Sequence, residues 1–302
     1  MKDEGAAMPT ITVLDSTMYF EDAGAGTPLV FLHGNPGSSY LWRRVLPHLG
    51  APGRTLAPDL IGMGRSGKPD VAYTFDDHAR YLDGWFDAVG VDDVVLVGHD
   101  WGGALAFDWA ARHPERVRGV AFLETILRPM SWAAFPAAGR ARFTALRTPG
   151  VGESMVLDRN EFLDAAYTQA VRTPLADADL AVYRAPYPTP ASRRPMLAWP
   201  RAMPLDGEPA DVVARVRAYD GWLAASVDVP KLLMTFDSSP TLMIGPEAVD
   251  WCAANIAALD IVACGPAGHH APEDQPGAIA AAVSAWLDRH GLRAPWPAPV
   301  AG

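Results

Sequence analysis

DVVLVGHDWGG (Asp93–Gly103) is the most apolar of the chain's short strand-like runs, and it closes on a pair of glycines. Val94, Val95, Leu96 and Val97 in succession suit a strand buried on both faces. The residues that follow, WGGALAFDWAARHPERV (Trp101–Val117), have helical periodicity, with Pro114 just beyond the expected end of the helix. Strand and helix are joined by GHDWG, in which Gly98 and Gly102 stand two residues either side of Asp100. Small residues at those two places let the chain turn sharply, pushing the central side chain outward under strain. The competing reading of Asp100 is a helix N-cap, a role aspartate favours at any strand-to-helix turn.

Working outward, five more apolar runs read as strands: PLVFLHG (Pro28–Gly34), RTLAPDL (Arg54–Leu60), GVAFLET (Gly119–Thr125), KLLMTF (Lys231–Phe236) and IVACG (Ile261–Gly265). Near-continuous apolar strands alternating with helices predict an α/β fold, with a mostly parallel central sheet flanked by helices. The alternation breaks between about Arg128 and Val212, where 11 of the 28 prolines fall and no strand-like run occurs. Trp132, Phe143, Phe162 and Trp199 supply apolar anchors there, so an inserted helical cap over 129–212 fits better than a linker. The core then comprises 1–128 and 213–302, ending in a proline-rich surface tail, Arg293–Gly302.

With 302 residues, 49% of them hydrophobic, the chain can bury a full core. A net charge of −10 argues against a nucleic-acid partner and against docking on anionic lipid. Two cysteines, Cys252 and Cys264, make neither a disulfide framework nor a metal-ligand set. The N-terminal residues lack the apolar run of a signal peptide, and no run approaches transmembrane length, so a cytoplasmic protein is expected.

An aspartate at the tip of such a turn differs in chemistry from the serine that lipases and esterases carry there. A carboxylate is already an anion at neutral pH, can attack a saturated carbon directly, and leaves an ester that water must then cleave with help from a base. GPAGHHAPEDQP (Gly265–Pro276), after the last strand, offers that base. The run H-x-x-x-E-D begins at His269, which assigns the role there and leaves His270 lining the entrance or exposed. For the acid that orients the base, Glu124 at the end of GVAFLET is favoured over Asp237, read as a turn residue, because an acid closing an apolar strand needs a reason to be there. Ser239 follows Asp237 two residues later in the same loop.

HGNPGSSYLWR (His33–Arg43) and GHDWGGALAFDWA (Gly98–Ala110) resemble the haloalkane dehalogenases of the α/β-hydrolase superfamily, in the subgroup with an Asp-His-Glu triad. DLIGMGRSGKPD (Asp59–Asp70) looks like the family too, but is shared with epoxide hydrolases. The resemblance runs from Ile11 to Leu287. It implies that Asn35 and Trp101 donate to the leaving halide through side chains and form an oxyanion hole through backbone N–H groups. It also implies Phe143, Phe162 and Pro200 as cap contributors to the substrate cavity, small halogenated substrates as partners, no cofactor or metal, and a monomer. The departures are the His269–His270 pair, Pro272 and the loop that starts at Asp237 and runs to Leu242. Two alternatives on this scaffold are an epoxide hydrolase, for which Tyr167, Tyr183 and Tyr187 could supply ring-oxygen donors, and a coelenterazine-type luciferase. A ligand-binding receptor that has lost turnover is a third, disfavoured by the intact Asp, His and Glu.

Overall fold

The strands are β1 (Thr10–Val13), β2 (Ser16–Gly24), β3 (Pro28–Leu32), β4 (Arg54–Pro58), β5 (Val94–His99), β6 (Val117–Leu123), β7 (Lys231–Asp237) and β8 (Leu259–Pro266). They form one sheet in the order β1-β2-β4-β3-β5-β6-β7-β8, seen in a computed structural model that describes residues 9–50, 53–237 and 239–293. Pairings from β4 through β8 are parallel, while β1 with β2 and β2 with β4 are antiparallel. Of the proline-rich stretch only Arg293 is described; 294–302 lie outside the described residues.

Every residue of β5 is buried, and successive side chains enter different cores. Val94 and Leu96 belong to one apolar cluster, Val95 and Val97 to a second on the opposite face. This is the two-sided burial that a continuous apolar run permits and an alternating one does not. The pair β1 and β2 had no such signal: STMYFEDAG buries only its middle and exposes Glu21 and Asp22.

The helices are α1 (Phe75–Val89), α2 (Trp101–Arg112), α3 (Ala137–Arg147), α4 (Val151–Glu153), α5 (Glu161–Gln169), α6 (Asp177–Arg184), α7 (Arg194–Ala202), α8 (Ala210–Ala225), α9 (Pro246–Asn255), α10 (Ala271–Asp274) and α11 (Pro276–Arg289). Helix α1 starts at a reciprocal cap, in which Thr74 Oγ1 accepts from the Asp77 N–H and Asp77 Oδ2 from the Thr74 N–H. None of the described helices is long and apolar enough to cross a membrane.

Helices α3 to α8 all lie between β6 and β7 in the chain. Leu146, Leu163, Tyr167, Tyr183 and Met196 form a third apolar cluster, distinct from the two against the sheet. Of the four expected anchors, Trp199 is part of the sheet-side cluster and Trp132 and Phe143 pack on it, so these three dock the insertion on the core. The expected edge at Val212 falls inside α8. That helix lies on α2, where Arg215 joins Arg112 at the buried Asp108 carboxylate.

A buried ionic cluster ties α6 to the core. Arg43 donates to both Glu273 oxygens at 2.5 and 2.9 Å, and the Tyr183 hydroxyl donates to Oε1 at 2.5 Å. Asp179 accepts from Tyr40 and pairs with Arg43. The Glu273 side chain is only 1% exposed, so removing it leaves Arg43 paired with Asp179 alone among the described carboxylates and the buried Tyr183 hydroxyl without its acceptor. Glu273→Ala should therefore lower unfolding free energy by about 3–5 kcal/mol, read from chemical denaturation midpoints.

Candidate active site

Asp100 follows directly on β5 and opens α2 with φ 52° and ψ −128°, a conformation side-chain-bearing residues rarely adopt. The turn is as tight as the glycine spacing predicts. A Cβ on Gly98 would lie 2.4 Å from the Gly103 Cα, and one on Gly102 would lie 2.2 Å from the Leu32 carbonyl oxygen. The Thr125 hydroxyl donates to the Asp100 carbonyl at 2.6 Å, pinning the turn to the end of β6. Asp100 makes no side-chain cap to its helix; its carboxylate instead accepts the Asn35 backbone N–H at 2.8 Å.

His269 stands between two carboxylates. Its Nε2 lies 3.6 Å from Asp100 Oδ1, and its Nδ1 lies 3.2 Å from Glu124 Oε2. Glu124 follows directly on β6, is 1% exposed, and also accepts backbone N–H groups from Met243 at 2.7 Å and Ile244 at 3.1 Å. Asp237 lies exposed at the end of β7, and the Ser239 hydroxyl pairs with Thr241 at 2.7 Å. Of the two candidate acids, Glu124 is the one against the imidazole.

Burial opposes a charge on His269, but the Asp100 and Glu124 carboxylates outweigh it and push the imidazole up to about 10. Burial likewise opposes ionisation of Asp100, yet the adjoining His269 ring and the Asn35 N–H hold its carboxyl below the usual range. Both follow from one fact: a cation between two anions stabilises all three.

Asn35 and Trp101 face the same cavity as Asp100 and His269. The Asn35 amide donates one hydrogen to the Met196 carbonyl at 3.1 Å, leaving its second N–H. The Trp101 ring stacks on Trp199 at 4.6 Å and 23°. The cavity holds about 190 Å³, and Phe143, Phe162 and Pro200 all line it. Tyr167, Tyr183 and Tyr187 do not: they are buried in the insertion's own apolar cluster, Tyr183 bound to Glu273 and Tyr187 accepting from the Gly64 N–H. The tyrosines on which the epoxide alternative rested therefore do not line the cavity that holds Asp100. His270 is not exposed; it is 2% accessible and lines the cavity.

Several supporting residues had no sequence signal of their own. His99 donates from Nε2 to the His269 carbonyl at 2.8 Å, and burial pushes its ring down to about 3, so it does this uncharged. The Thr241 hydroxyl accepts the His269 N–H at 3.3 Å. In HGNPG, His33 accepts the Leu60 N–H and bonds the Gly34 carbonyl, bracing the loop that carries Asn35. Only the recurrence of histidine beside glycine in GHD and HGN could have pointed to His99 and His33.

A family model described as alpha/beta hydrolase fold matches residues 27–221, which sets the class of the protein. A haloalkane dehalogenase of Mesorhizobium japonicum is 48% identical over 92% of this chain and 90% of its own. One from Agrobacterium fabrum is 43% identical over 95% and 93%. Among solved structures, haloalkane dehalogenase DatA of Agrobacterium tumefaciens superposes with a TM-score of 0.89 at 43% identity, covering 95% of this chain and 98% of that one. The chain belongs to the haloalkane dehalogenase family.

Asp100→Asn removes one of the two anions beside His269 while preserving shape. The imidazole of the unsubstituted protein should stay protonated through neutral pH, and the substitution should lower its titration midpoint, read from histidine ring NMR.

Proposed function

We propose that this protein hydrolyses carbon–halogen bonds of haloalkanes to alcohol, halide and a proton, with Asp100 as nucleophile, His269 as base and Glu124 as its orienter. One observation carries the assignment of roles: a single imidazole bridges the strained Asp100 carboxylate and the buried Glu124, on the wall of a cavity that also presents Asn35 and Trp101. The cavity's about 190 Å³ suits a short alkyl chain and is below the roughly 300–1,000 Å³ of pockets for drug-sized ligands, which disfavours a luciferin. The insertion from Pro129 to about Pro209 serves as the cap that closes this space.

In the first step an Asp100 oxygen attacks the carbon bearing halogen in line, forming a C–O bond while the carbon–halogen bond breaks and its electron pair leaves with the halogen as halide. The Trp101 indole N–H and the free Asn35 amide N–H are neutral donors for that anion. Alkylation turns Asp100 from an anion into a neutral ester, so His269 loses half of what kept it protonated and releases its proton. Now neutral, and held by Glu124 on Nδ1, it takes a proton from water through Nε2 while the water oxygen adds to the ester carbonyl. Asn35 and Trp101 backbone N–H groups hold the resulting oxyanion, which collapses to free the alcohol and restore the carboxylate. Cys252 and Cys264 are free and buried, in keeping with a reducing cytoplasm.

The test is bromide and acid release from 1-bromobutane or 1,2-dibromoethane. Turnover of an epoxide without bromide from any short bromoalkane would overturn the assignment. His269→Phe should trap an alkyl group on Asp100, visible by intact mass. Glu124→Gln should slow ester hydrolysis on the order of 10²–10⁴-fold, whereas Asp237→Asn should leave it near normal.

The pH dependence has a defined sign. Asp100 stays ionised well into acid, so alkylation persists there. Falling pH re-protonates His269 in the ester form and blocks water activation. Rapid-quench experiments should show a halide burst that grows as pH falls, approaching one equivalent per enzyme.

A further inference from the structure

His270 is the polar side chain on the cavity wall to which the mechanism gives no role; Asn35 Oδ1 also lacks a partner, but that amide serves the halide. The His270 backbone is fully engaged, donating to the Ala170 carbonyl at 3.0 Å and accepting from the Glu273 N–H at 3.0 Å. Its ring lies against Tyr167 at 4.8 Å and edge-on to His269 at 5.1 Å, with His99 at 5.5 Å. Nδ1 is buried without a partner, and no hydrogen bond among the described residues uses the other nitrogen. The loop packs tightly on the end of α5: a Cβ on Gly268 would lie 2.4 Å from the Ala170 carbonyl oxygen. Asn35 and Trp101 keep free donors for the leaving halide, and the remaining polar wall groups are occupied or lie at the rim. Thr241 holds the His269 N–H, Arg142 donates to the Glu161 carbonyl at 3.1 Å, and Gln169 is exposed.

We propose that His270 is a specificity-determining residue, whose imidazole edge selects haloalkanes that carry a hydroxyl or similar hydrogen-bonding group a few carbons from the halogen. The inference rests on the dehalogenase reading of the site. Burial, with His269 and His99 alongside, keeps the ring well below the usual histidine range, so it meets substrate uncharged. A neutral imidazole has one N–H and one lone pair, and a hydroxyl can pair with whichever of these Nε2 presents. A purely hydrocarbon tail leaves that nitrogen unpaired and dry, which is unfavourable; a haloalcohol satisfies it. Phe143, Phe162, Pro200 and Met203 supply the apolar wall for the intervening carbons.

The test compares 1-bromobutane with 3-bromopropan-1-ol, which differ by a methyl replaced by a hydroxyl, in the wild-type protein, His270→Phe and His270→Gln. Bromide release is measured for each. The ratio of kcat/KM for the alcohol to that for the alkane should fall about tenfold in His270→Phe, through KM for the alcohol, and recover largely in His270→Gln. An unchanged ratio in His270→Phe overturns the proposal. So does an equal loss on both substrates with alkylated Asp100 accumulating, since that would place His270 behind His269 and not against substrate. Absence of bromide from both substrates in the wild-type protein would instead overturn the dehalogenase reading, and this proposal with it.

Discussion

The His269 imidazole lies between the Asp100 and Glu124 carboxylates, and all three groups are largely withdrawn from water. Burying two anions side by side is costly, and the cation between them offsets part of that cost. The backbone supplies the rest. Asn35 donates to Asp100, and Met243 and Ile244 donate to Glu124, so each carboxylate has neutral donors besides the imidazole. These donors come from loops after β3 and β7, which are adjacent to the strands bearing the acids only because the sheet order brings them there. On the proposed mechanism, the arrangement is balanced for the resting protein and unbalanced by alkylation, which would let one histidine be cationic before the halide leaves and basic afterwards.

What the sequence disclosed was local. GHDWG announces a strained turn because glycine spacing is a short-range property, and the six apolar runs mark strands because two-sided burial leaves no polar positions. Glu124 was legible for a related reason, as an acid closing a buried strand. The supports were not. Met243 and Ile244 act through backbone N–H groups, which any residue carries, and His99 acts on a carbonyl 170 positions away. The amphipathic β1 and β2 gave no continuous run to read, and the exposed residues of β2 resemble a loop.

The insertion was harder still. Proline density showed that the alternation stopped, but whether an aromatic docks on the core or packs within the insertion depends on contacts far apart in the chain. Trp199 and Tyr167 illustrate this: the first stacks beneath Trp101, the second beside Tyr183 at 3.9 Å. Both are large apolar residues in the same stretch, yet one helps shape the reaction centre and the other does not line the cavity.

The short segment from Gly268 to Asp274 carries His269, yet it is also the seam along which the insertion is sewn to the core. Its backbone grips the end of α5 at Ala170, Glu273 grips Arg43 and Tyr183, and Asp274 accepts the Arg172 and Gly268 N–H groups. Entrance shape and catalytic timing are therefore not separate traits for selection to adjust. A change that lifts the end of α5 to admit a bulkier molecule pulls on the peptide that aims His269, so a lineage gaining breadth of substrate would be expected to carry compensating changes in this seven-residue strip.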